Sequence, residues 1–360
     1  MHLLLIVGTR PNFIKITQFP RVVAAYPGFK LSILHTGQHH DENMSRVFFR
    51  QFGFEPHHYL QLTTSTPNAN MGEIMIGIEQ YVRQINPTMM MVVGDVNSTL
   101  AAALTANKTG LPLAHLESGL RSGDRSMPEE INRLLTDQLT DHFFVTEQSG
   151  LDHLAAEKLP GTPHLVGNTM IDTLVAFDTE IQQHTILQQL NLAAKGYALM
   201  TMHRPATVDN KAGLASLLRI IRGITASRPL VFPIHPRTTK NLQRFGLWQA
   251  FKAIPRLTLT GPLDYFAFQK LIAAAAFLIT DSGGIQEETT YRGVPCLTLR
   301  PNTERPSTVD LGTNTLVPFD ETEVLRYVEQ IETGTYKQGR VPPLWDGHAT
   351  ERIVEVLSKL

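Results

Sequence analysis

Short apolar runs alternate with longer helical segments along the whole chain, and this alternation limits the fold more than any other sequence feature. The runs fall at 3–7, 31–35, 89–93, 113–116, 143–146, 164–166, 198–202, 230–234, 257–259, 277–280, 295–299 and 315–317. Short runs that are apolar at nearly every position are typical of parallel strands buried on both faces. Because strands and helices alternate in two successive series, we predict the α/β class with two doubly wound, Rossmann-like domains.

Three of the segments between these runs carry clear helix signals. Residues 98–108 are rich in Ala and Leu, residues 128–139 begin with a proline, and residues 209–225 place Leu and Ile on one stripe. The joint between the two domains is expected within residues 168–173, with the first domain ending at residue 168.

Composition excludes several classes of function. The chain of 360 residues is 42% hydrophobic and 18% charged with a net charge of −1, so it has no basic excess for a nucleic acid backbone. The single Cys296 excludes a disulfide framework and a thiolate metal site. No apolar stretch approaches the ~18 residues of a membrane helix, and no basic segment precedes the first strand as in a signal peptide. We therefore expect a cytoplasmic protein that binds neither nucleic acid nor membrane.

The polar motifs share one position, because each follows the carboxyl end of a predicted strand. In the first half they begin at Gly8, Thr36, Gly94 and Glu117, and in the second half at His203, His235, Gly261 and Asp281. In open parallel sheets, ligands bind at this edge. Two such sheets facing each other would bring both sets of motifs into one cleft, where we expect the functional site.

Ser282, Gly283 and Gly284 follow a predicted strand and open a helix. Two glycines let a phosphate approach the backbone, and the helix dipole favours an anion there. Glu288, one turn further on, is placed to reach vicinal hydroxyls such as those of a ribose. No Gly-Lys-Ser/Thr follows and no Gly-x-Gly-x-x-Gly occurs, so a nucleotide diphosphate is favoured over NAD. The alternative is a tight turn with an acidic first helical turn.

Two cations lie near the start of the first predicted helix. Arg10 projects from the turn after the first strand, and Lys15 follows five residues later. A cation beside a helix N-terminus is unfavourable unless it meets an anion. We therefore predict that both bind an anion, with a structural salt bridge as the alternative.

Three carboxylates, Asp95, Glu117 and Glu129, follow successive strand ends or begin the next helix. Together they supply the acids and bases that proton transfer at an unactivated carbon requires. Simpler alternatives exist for two of them. Asp95 would cap the helix that begins near Asn97, and Glu129 would offset the helix dipole and pair with Arg133.

Two histidines, His203 and His235, stand at the ends of neighbouring predicted strands. We predict that they are phosphate donors or proton carriers, although isolated histidines are more often structural. The other histidines lack metal-binding spacing, so no metal site is predicted. The run from His39 to Glu42 is interpreted as a solvated loop, with metal binding as the alternative.

Seven motifs occur in a fixed order: Gly8-Thr9-Arg10-Pro11, Thr36-Gly37-Gln38-His39, Gly94-Asp95, His115 to Arg121, Pro128 to Arg133, Asp281 to Glu288, and Thr303-Glu304-Arg305-Pro306. In this order they resemble the motifs of the UDP-N-acetylglucosamine 2-epimerases, and the resemblance covers nearly the whole chain. It implies a GT-B-like architecture of two Rossmann-like domains facing each other across a cleft, residues 1–168 and 169–348. It also implies a last helix at about 349–360 that crosses back to the first domain, a homodimer, and no redox cofactor.

Carried over position by position, the resemblance assigns a role to each candidate residue. The contacts to the uridine diphosphate would fall on Arg10, His235, Ser282, Gly283, Gly284 and Glu288, with Arg305 on the sugar or phosphate side. The catalytic carboxylates would be Asp95, Glu117 and Glu129, with His203 and Arg133 beside them.

The implied reaction is reversible C2 epimerisation of UDP-N-acetylglucosamine to UDP-N-acetylmannosamine, through elimination of UDP to a glycal and its readdition. Four alternatives stay open. They are a hydrolysing 2-epimerase that releases N-acetylmannosamine and UDP, a 2-epimerase of a related UDP-diacetamido uronic acid, a glycosyltransferase of the same architecture, and a sugar-nucleotide-binding protein without catalysis.

Overall fold

The computed structural model describes residues 1–37, 49 and 51–360. The chain divides into two compact units. The first consists of Met1–Ala176 together with Pro343–Leu360, and the second of Phe177–Pro342.

The first unit is built on a seven-stranded sheet. Its strands are β1 (His2–Val7), β2 (Lys30–His35), β3 (His58–Tyr59), β4 (Met89–Val93), β5 (Leu113–Ser118), β6 (His142–Val145) and β7 (Thr162–Leu165). They lie in the order β3-β2-β1-β4-β5-β6-β7, and every pair is parallel. The winding direction reverses between β1 and β4, which makes this position the topological switch point of the sheet.

The second unit repeats the same topology with six strands. They are β8 (Ala198–Thr201), β9 (Leu230–Pro233), β10 (Leu257–Thr260), β11 (Phe277–Thr280), β12 (Cys296–Thr298) and β13 (Asn314–Leu316). The order β10-β9-β8-β11-β12-β13 is again parallel throughout, with its switch point between β8 and β11. The prediction of two doubly wound α/β domains is therefore confirmed.

Helices connect the strands in both units. In the described part of the chain they are α1 (Arg10–Ile16), α2 (Phe19–Val23), α3 (Pro67–Ile85), α4 (Asn97–Thr109), α5 (Pro128–Gln138), α6 (Gln148–Glu157), α7 (Thr169–Ala176), α8 (Asp178–Gln183), α9 (Ile186–Gln189), α10 (Pro205–Val208), α11 (Lys211–Ser227), α12 (Pro236–Arg244), α13 (Trp248–Lys252), α14 (Tyr265–Ala274), α15 (Gly283–Tyr291), α16 (Pro306–Asp310), α17 (Glu321–Glu332) and α18 (Ala349–Leu357). None of these helices combines the length and the apolar character that a bilayer-spanning segment needs.

Helices cover both faces of the first sheet, which explains its apolar strands. In β1, Leu3 and Leu5 face one buried cluster and Leu4 and Ile6 face another. Side chains alternate across a strand, so a strand with two covered faces must be apolar at every position. This burial on both sides is the physical basis of the apolar runs in the sequence.

The last helix belongs to the first unit. Ile353 and Leu357 of α18 are fully buried in the cluster that also contains Phe19 of α2. The buried carboxylate of Asp172 in α7 accepts hydrogen bonds from the backbone N–H groups of Ala349 (3.0 Å) and Thr350 (2.6 Å). These contacts cap the N-terminus of α18, which otherwise has unpaired N–H groups.

The boundary predicted after residue 168 lies inside the first unit. Thr173 of α7 donates a hydrogen bond to the carbonyl of Ile14 in α1 (2.5 Å). Because α7 packs on α1 and caps α18, residues 169–176 stay with the first sheet, and so do residues 343–348. The sequence gives no sign of these tertiary contacts, since the segment reads as a helix wherever it packs.

Candidate active site

In the first unit, Asn12 ties the two strands at the switch point together. Its side-chain oxygen accepts hydrogen bonds from the backbone N–H groups of Gly8 and Thr9 (both 3.1 Å), in the turn after β1. Its amide nitrogen donates to the carbonyl of Val93 at the end of β4 (3.1 Å). Sequence reasoning gave Asn12 no role, although an Asn three residues after a helix-capping Thr is a capping signal.

Lys15 and Glu117 form a buried ion pair between the side-chain Nζ and Oε2 atoms. The two side chains are 9% and 6% exposed. A Cβ atom at Gly94 would lie 3.3 Å from Lys15 Nζ and 3.4 Å from Glu117 Oε2, so the pair packs directly against the end of β4. Lys15 was predicted to bind an anion of the substrate, and the anion that it meets in the structure is the carboxylate of Glu117.

The backbone of Glu117 adopts a left-handed conformation with φ of +69°. At this residue the pairing of β5 with β6 shifts register between Leu116 and Ser118. A non-glycine residue in this region costs of order 1–3 kcal/mol, and such strain is concentrated at functional sites. The bulge turns the side chain of Glu117, in a fully buried strand, toward Lys15 beside Gly94.

Asp95 follows β4 directly, and its carboxylate pairs with Nη2 of Arg133. The other terminal nitrogen of Arg133, Nη1, pairs with Glu130 at 2.5 Å. The alternative that Asp95 caps a helix is wrong, because Val96 occupies the N-cap of α4. The alternative that Arg133 pairs with Glu129 is also wrong, since Arg133 is committed to Glu130 and Asp95.

Two further candidate residues of this unit lie at helix starts. Glu129 is exposed in the first turn of α5, and its carboxylate makes no hydrogen bond or ion pair within residues 1–37, 49 and 51–360. Arg10 is half-buried at the first position of α1. Lys15 with Glu117 and Arg133 with Asp95 form two ion pairs at the strand ends beside Gly94, and Glu129 belongs to neither pair.

His115 and Asp137 form a hydrogen-bonded scaffold that supports the ends of β4 and β5. The two ring nitrogens of His115 lie 2.7 Å from Asp137 Oδ1 and 2.8 Å from the carbonyl oxygen of Gly94. Arg121 pairs with the second oxygen of Asp137 at 2.7 Å. Burial opposes ionisation of Asp137, but His115 and Arg121 outweigh it and hold the pKa of this carboxyl below its usual range. The motif from His115 to Arg121 thus fixes the turn after β5.

In the second unit, Asp281 orients His203 at the switch point between β8 and β11. His203 Nδ1 lies 2.9 Å from Asp281 Oδ1, and Asp281 Oδ2 accepts the backbone N–H groups of His203 (2.9 Å) and Arg204 (2.8 Å). Burial raises the pKa of Asp281, yet these donors bring it below its ordinary value. Nε2 of the partly exposed His203 ring is the nitrogen that Asp281 does not engage.

His235 caps helix α12 and stands beside His203. Its Nδ1 accepts the backbone N–H of Arg237 at 3.2 Å, and its ring centroid lies 5.9 Å from that of His203. Burial, the neighbouring His203 and Arg237 together lower the pKa of His235. The pair thus comprises a histidine held against a carboxylate and a histidine that is harder to protonate.

Helix α15 begins at the same switch point, with Ser282 in the N-cap position. A Cβ atom at Gly283 would lie 2.9 Å from Nη1 of Arg305, so the guanidinium packs against the first turn of the helix. Glu288 is buried in the second turn. Ser282, Gly283 and Arg305 therefore lie together at the start of α15, and Glu288 lies further along the same helix.

The loop that carries Arg305 is fixed to α15. Arg305 Nε lies 2.8 Å from Glu287 Oε2, and Thr303 donates a hydrogen bond to the side-chain oxygen of Gln286 (2.7 Å). Although burial opposes ionisation of Glu304, Arg300 and Arg305 lower its pKa to about 2. Sequence reasoning assigned no role to Glu287 or Glu304. The available signal for Glu304 was the pair of arginines near it, at positions 300 and 305.

Within the residues that the structure describes, no group of three or more His, Cys, Asp or Glu side chains could hold a metal ion. The run from His39 to Glu42, for which metal binding was the alternative, lies outside the described residues.

Comparisons with known proteins cover the whole chain. Residues 21–358 match the family model described as UDP-N-acetylglucosamine 2-epimerase. A relative from Methanocaldococcus jannaschii named UDP-N-acetylglucosamine 2-epimerase is 36% identical over 99% of each chain. A relative from Pseudomonas aeruginosa named UDP-2,3-diacetamido-2,3-dideoxy-D-glucuronate 2-epimerase is 35% identical over 100% of each chain.

A solved structure of a UDP-GlcNAc 2-epimerase also resembles this chain closely. The UDP-GlcNAc 2-epimerase of M. jannaschii, crystallised in complex with UDP-GlcNAc and UDP, matches with a TM-score of 0.91 and 34% identity over 100% of each chain. Together with the two parallel sheets, this likeness confirms the GT-B-like fold class. The chain thus belongs to the UDP-N-acetylglucosamine 2-epimerase family.

Proposed function

We propose that the protein interconverts UDP-N-acetylglucosamine and UDP-N-acetylmannosamine by eliminating UDP and adding it back. The observation that carries the proposal is the pair of carboxylates, Asp95 and Glu117, each held by a buried cation at the switch point of the first sheet. Ionised carboxylates fixed in this way are suited to take a proton from a carbon that no carbonyl activates.

The second unit supplies the groups that would hold UDP. The N-terminus of α15 at Ser282 and Gly283 offers backbone N–H groups to a diphosphate, and Arg305 lies against it. His203 and His235 stand at the neighbouring strand ends, and Glu288 is assigned to the ribose hydroxyls. Arg10, at the start of α1, is also proposed to bind phosphate. These groups stabilise the negative charge that UDP gains as it departs.

The reaction starts with cleavage of the bond between C1 and the phosphate oxygen. The bonding electrons leave with UDP, and C1 gains oxocarbenium character, which acidifies the hydrogen at C2. A carboxylate then removes the C2 proton and a C1–C2 double bond forms, giving the glycal. Protonation at C2 from the opposite face and return of the UDP oxygen to C1 complete the inversion. Asp95, Glu117 and Glu129 are the proposed acids and bases.

Lys15 has a different role in this proposal from the one expected from the sequence. Its ion pair with Glu117 keeps a buried carboxylate ionised, because an opposite charge at contact distance offsets the cost of burial. An ionised Glu117 is a base, whereas a protonated one is an acid. Lys15 is thus the partner that keeps Glu117 ready to act as a base. Arg10 and Arg305 are the residues proposed to bind the phosphates.

Turnover in deuterated water tests the reaction class. We expect the epimerised product to carry one deuterium at C2, and prolonged incubation to label the starting sugar nucleotide as well, because the removed proton exchanges with solvent. Mass spectrometry and proton NMR at C2 provide the measurement. Product that retains its original hydrogen at C2 contradicts elimination. Free acetamido sugar that accumulates in step with UDP shows the hydrolysing alternative, and binding of UDP-sugar without any labelling shows a protein without catalysis.

Binding of UDP at α15 can be tested without turnover. A ligand that binds the folded state at 100 times its Kd stabilises it by about 2.7 kcal/mol, so UDP is expected to raise the melting temperature. Ser282→Asp places a negative charge against the phosphates and should abolish this shift, whereas Ser282→Ala should keep it. Undiminished stabilisation of Ser282→Asp by UDP, measured by differential scanning fluorimetry, moves the phosphate site elsewhere.

A second substrate has direct support from the comparisons. The P. aeruginosa relative, named for a UDP-diacetamido-glucuronate, is almost as similar as the M. jannaschii relative named for UDP-N-acetylglucosamine. Both substrates share the UDP and the 2-acetamido group, and they differ at C3 and C6. A comparison of kcat/KM for the two sugar nucleotides decides between them.

We also propose that the enzyme acts in the cytoplasm as a homodimer without a redox cofactor, as the family resemblance implies. Light scattering of the purified protein tests the dimer, because a single copy has a mass of 40.2 kDa.

A further inference from the structure

We propose that Glu130 is a positioning residue for Asp95 and that it acts through Arg133. The inference deepens the proposed function and rests on it, because it concerns how the catalytic carboxylate of Asp95 is held in place. Glu130 follows the exposed Glu129, and it points into the protein while its neighbour does not.

Glu130 is only 2% exposed, and both of its oxygens are occupied. Oε2 accepts a hydrogen bond from Arg133 Nη1 (2.5 Å) and one from the backbone N–H of Ser122 (2.9 Å). Oε1 accepts the backbone N–H of Gly123 (3.0 Å). One carboxylate therefore joins helix α5 to the loop that follows the strand of Glu117.

Arg133 transmits this fixed position to Asp95. Its side chain is 3% exposed, and its two terminal nitrogens are divided between Glu130 and Asp95. A guanidinium is planar and its nitrogens keep a constant separation, so holding one of them holds the other. The neighbouring Asn132 donates to the backbone carbonyl of Asp95 (2.9 Å), which anchors the main chain of the same residue.

The charges of the three groups explain why the positioning residue is an acid. Asp95 and Glu130 flank Arg133, so each terminal nitrogen of the guanidinium meets a carboxylate. Without the carboxylate of Glu130, Nη1 would lose this acceptor and the guanidinium would no longer be fixed against Asp95. A neutral glutamine also has one acceptor oxygen where three donors converge, so its NH2 group would face an N–H donor.

A double-mutant cycle with Asp95 tests the proposal. We expect Glu130→Gln to lower kcat by about 10- to 100-fold with KM within about threefold, because the variant misplaces a catalytic group and leaves the UDP contacts intact. In an Asp95→Asn background, the same change should lower the remaining rate by less than about threefold, since the group that it positions is already disabled. Deuterium incorporation at C2 is sensitive enough to follow the slow variants.

Two controls separate positioning from folding. Glu130→Asp keeps the charge and should recover at least part of the lost rate. Glu79→Gln removes the partner of Arg83, an exposed ion pair on α3 of the same unit, and should leave kcat unchanged. Each variant should keep the stabilisation by UDP.

The opposite results overturn the inference. Equal losses from Glu130→Gln with and without Asp95, or a loss that Glu130→Asp does not relieve, show a role in folding alone. Failure of the proposed function looks different. If Asp95→Asn turns over at the normal rate, Asp95 is not catalytic and the cycle has no coupling to measure, whatever Glu130→Gln does by itself.

Discussion

Glutamine in place of Glu117 is expected to lower turnover by roughly 10² to 10⁴-fold while UDP still raises the melting temperature as in the unaltered protein. Glutamine keeps the size of the side chain and an oxygen that accepts a hydrogen bond from Lys15, but its amide cannot take the C2 proton. The left-handed backbone at residue 117 and the register shift beside it remain, because the strand pairing of β5 with β6 does not depend on the carboxylate.

The measurement is kcat for epimerisation together with the rate of deuterium incorporation at C2. Both should fall together if Glu117 transfers the proton. Asp95→Asn is expected to behave in the same way, and Glu79→Gln on the exposed side of α3 serves as the acid-to-amide control away from the site. A loss of tenfold or less in both Glu117→Gln and Asp95→Asn would make these carboxylates structural and would require another base.

Methionine in place of Lys15 is expected to destabilise the first unit by about 3–5 kcal/mol, which is the usual cost of removing one partner of a buried ion pair. Methionine has nearly the same length, so packing changes little while Glu117 loses this counter-charge. Catalysis should fall as well, because a buried carboxylate without the cation is harder to ionise.

Urea unfolding followed by tryptophan fluorescence gives the measurement. The chain has two tryptophans, and the buried Trp345 lies in the first unit. Trp248→Phe leaves it as the single reporter of that unit. The double variant Lys15→Met/Glu117→Gln should be more stable than Lys15→Met alone, since no charge is then left behind. Equal stability of Lys15→Met and the unaltered protein would mean that water reaches the pair and screens it.

The sequence was most informative where a pattern is local. Residues 3–7 and 277–280 were predicted as buried strands and form β1 and β11, because burial on both faces requires apolar side chains at every position. Pro128 marks the first residue of α5 for an equally local reason. Strand β3, at His58–Tyr59, was missed, since two residues at the edge of a sheet need no apolar run.

The contacts within the candidate site depend on residues that are far apart in the chain. Lys15 meets Glu117 across 102 positions, and Arg133 meets Asp95 across 38. A sequence pattern shows that each is charged and follows a strand, but the partner depends on the order of strands in the sheet. For this reason Lys15 was expected to bind an anion of the substrate, with a salt bridge only as the alternative. For the same reason Glu129 was considered as the partner of Arg133, whereas the helix turns Arg133 toward Glu130.

The position of α18 affects the order in which the protein can fold during synthesis. The ribosome makes residues 177–342 before it makes the helix that fills part of the first hydrophobic core and receives the cap from Asp172. Until then, the apolar surface around Phe19 is exposed, and the carboxylate of Asp172 has no N–H partners from α18. The core of the first unit therefore stays incomplete until after the second unit has been synthesised, although its first residues are made earliest.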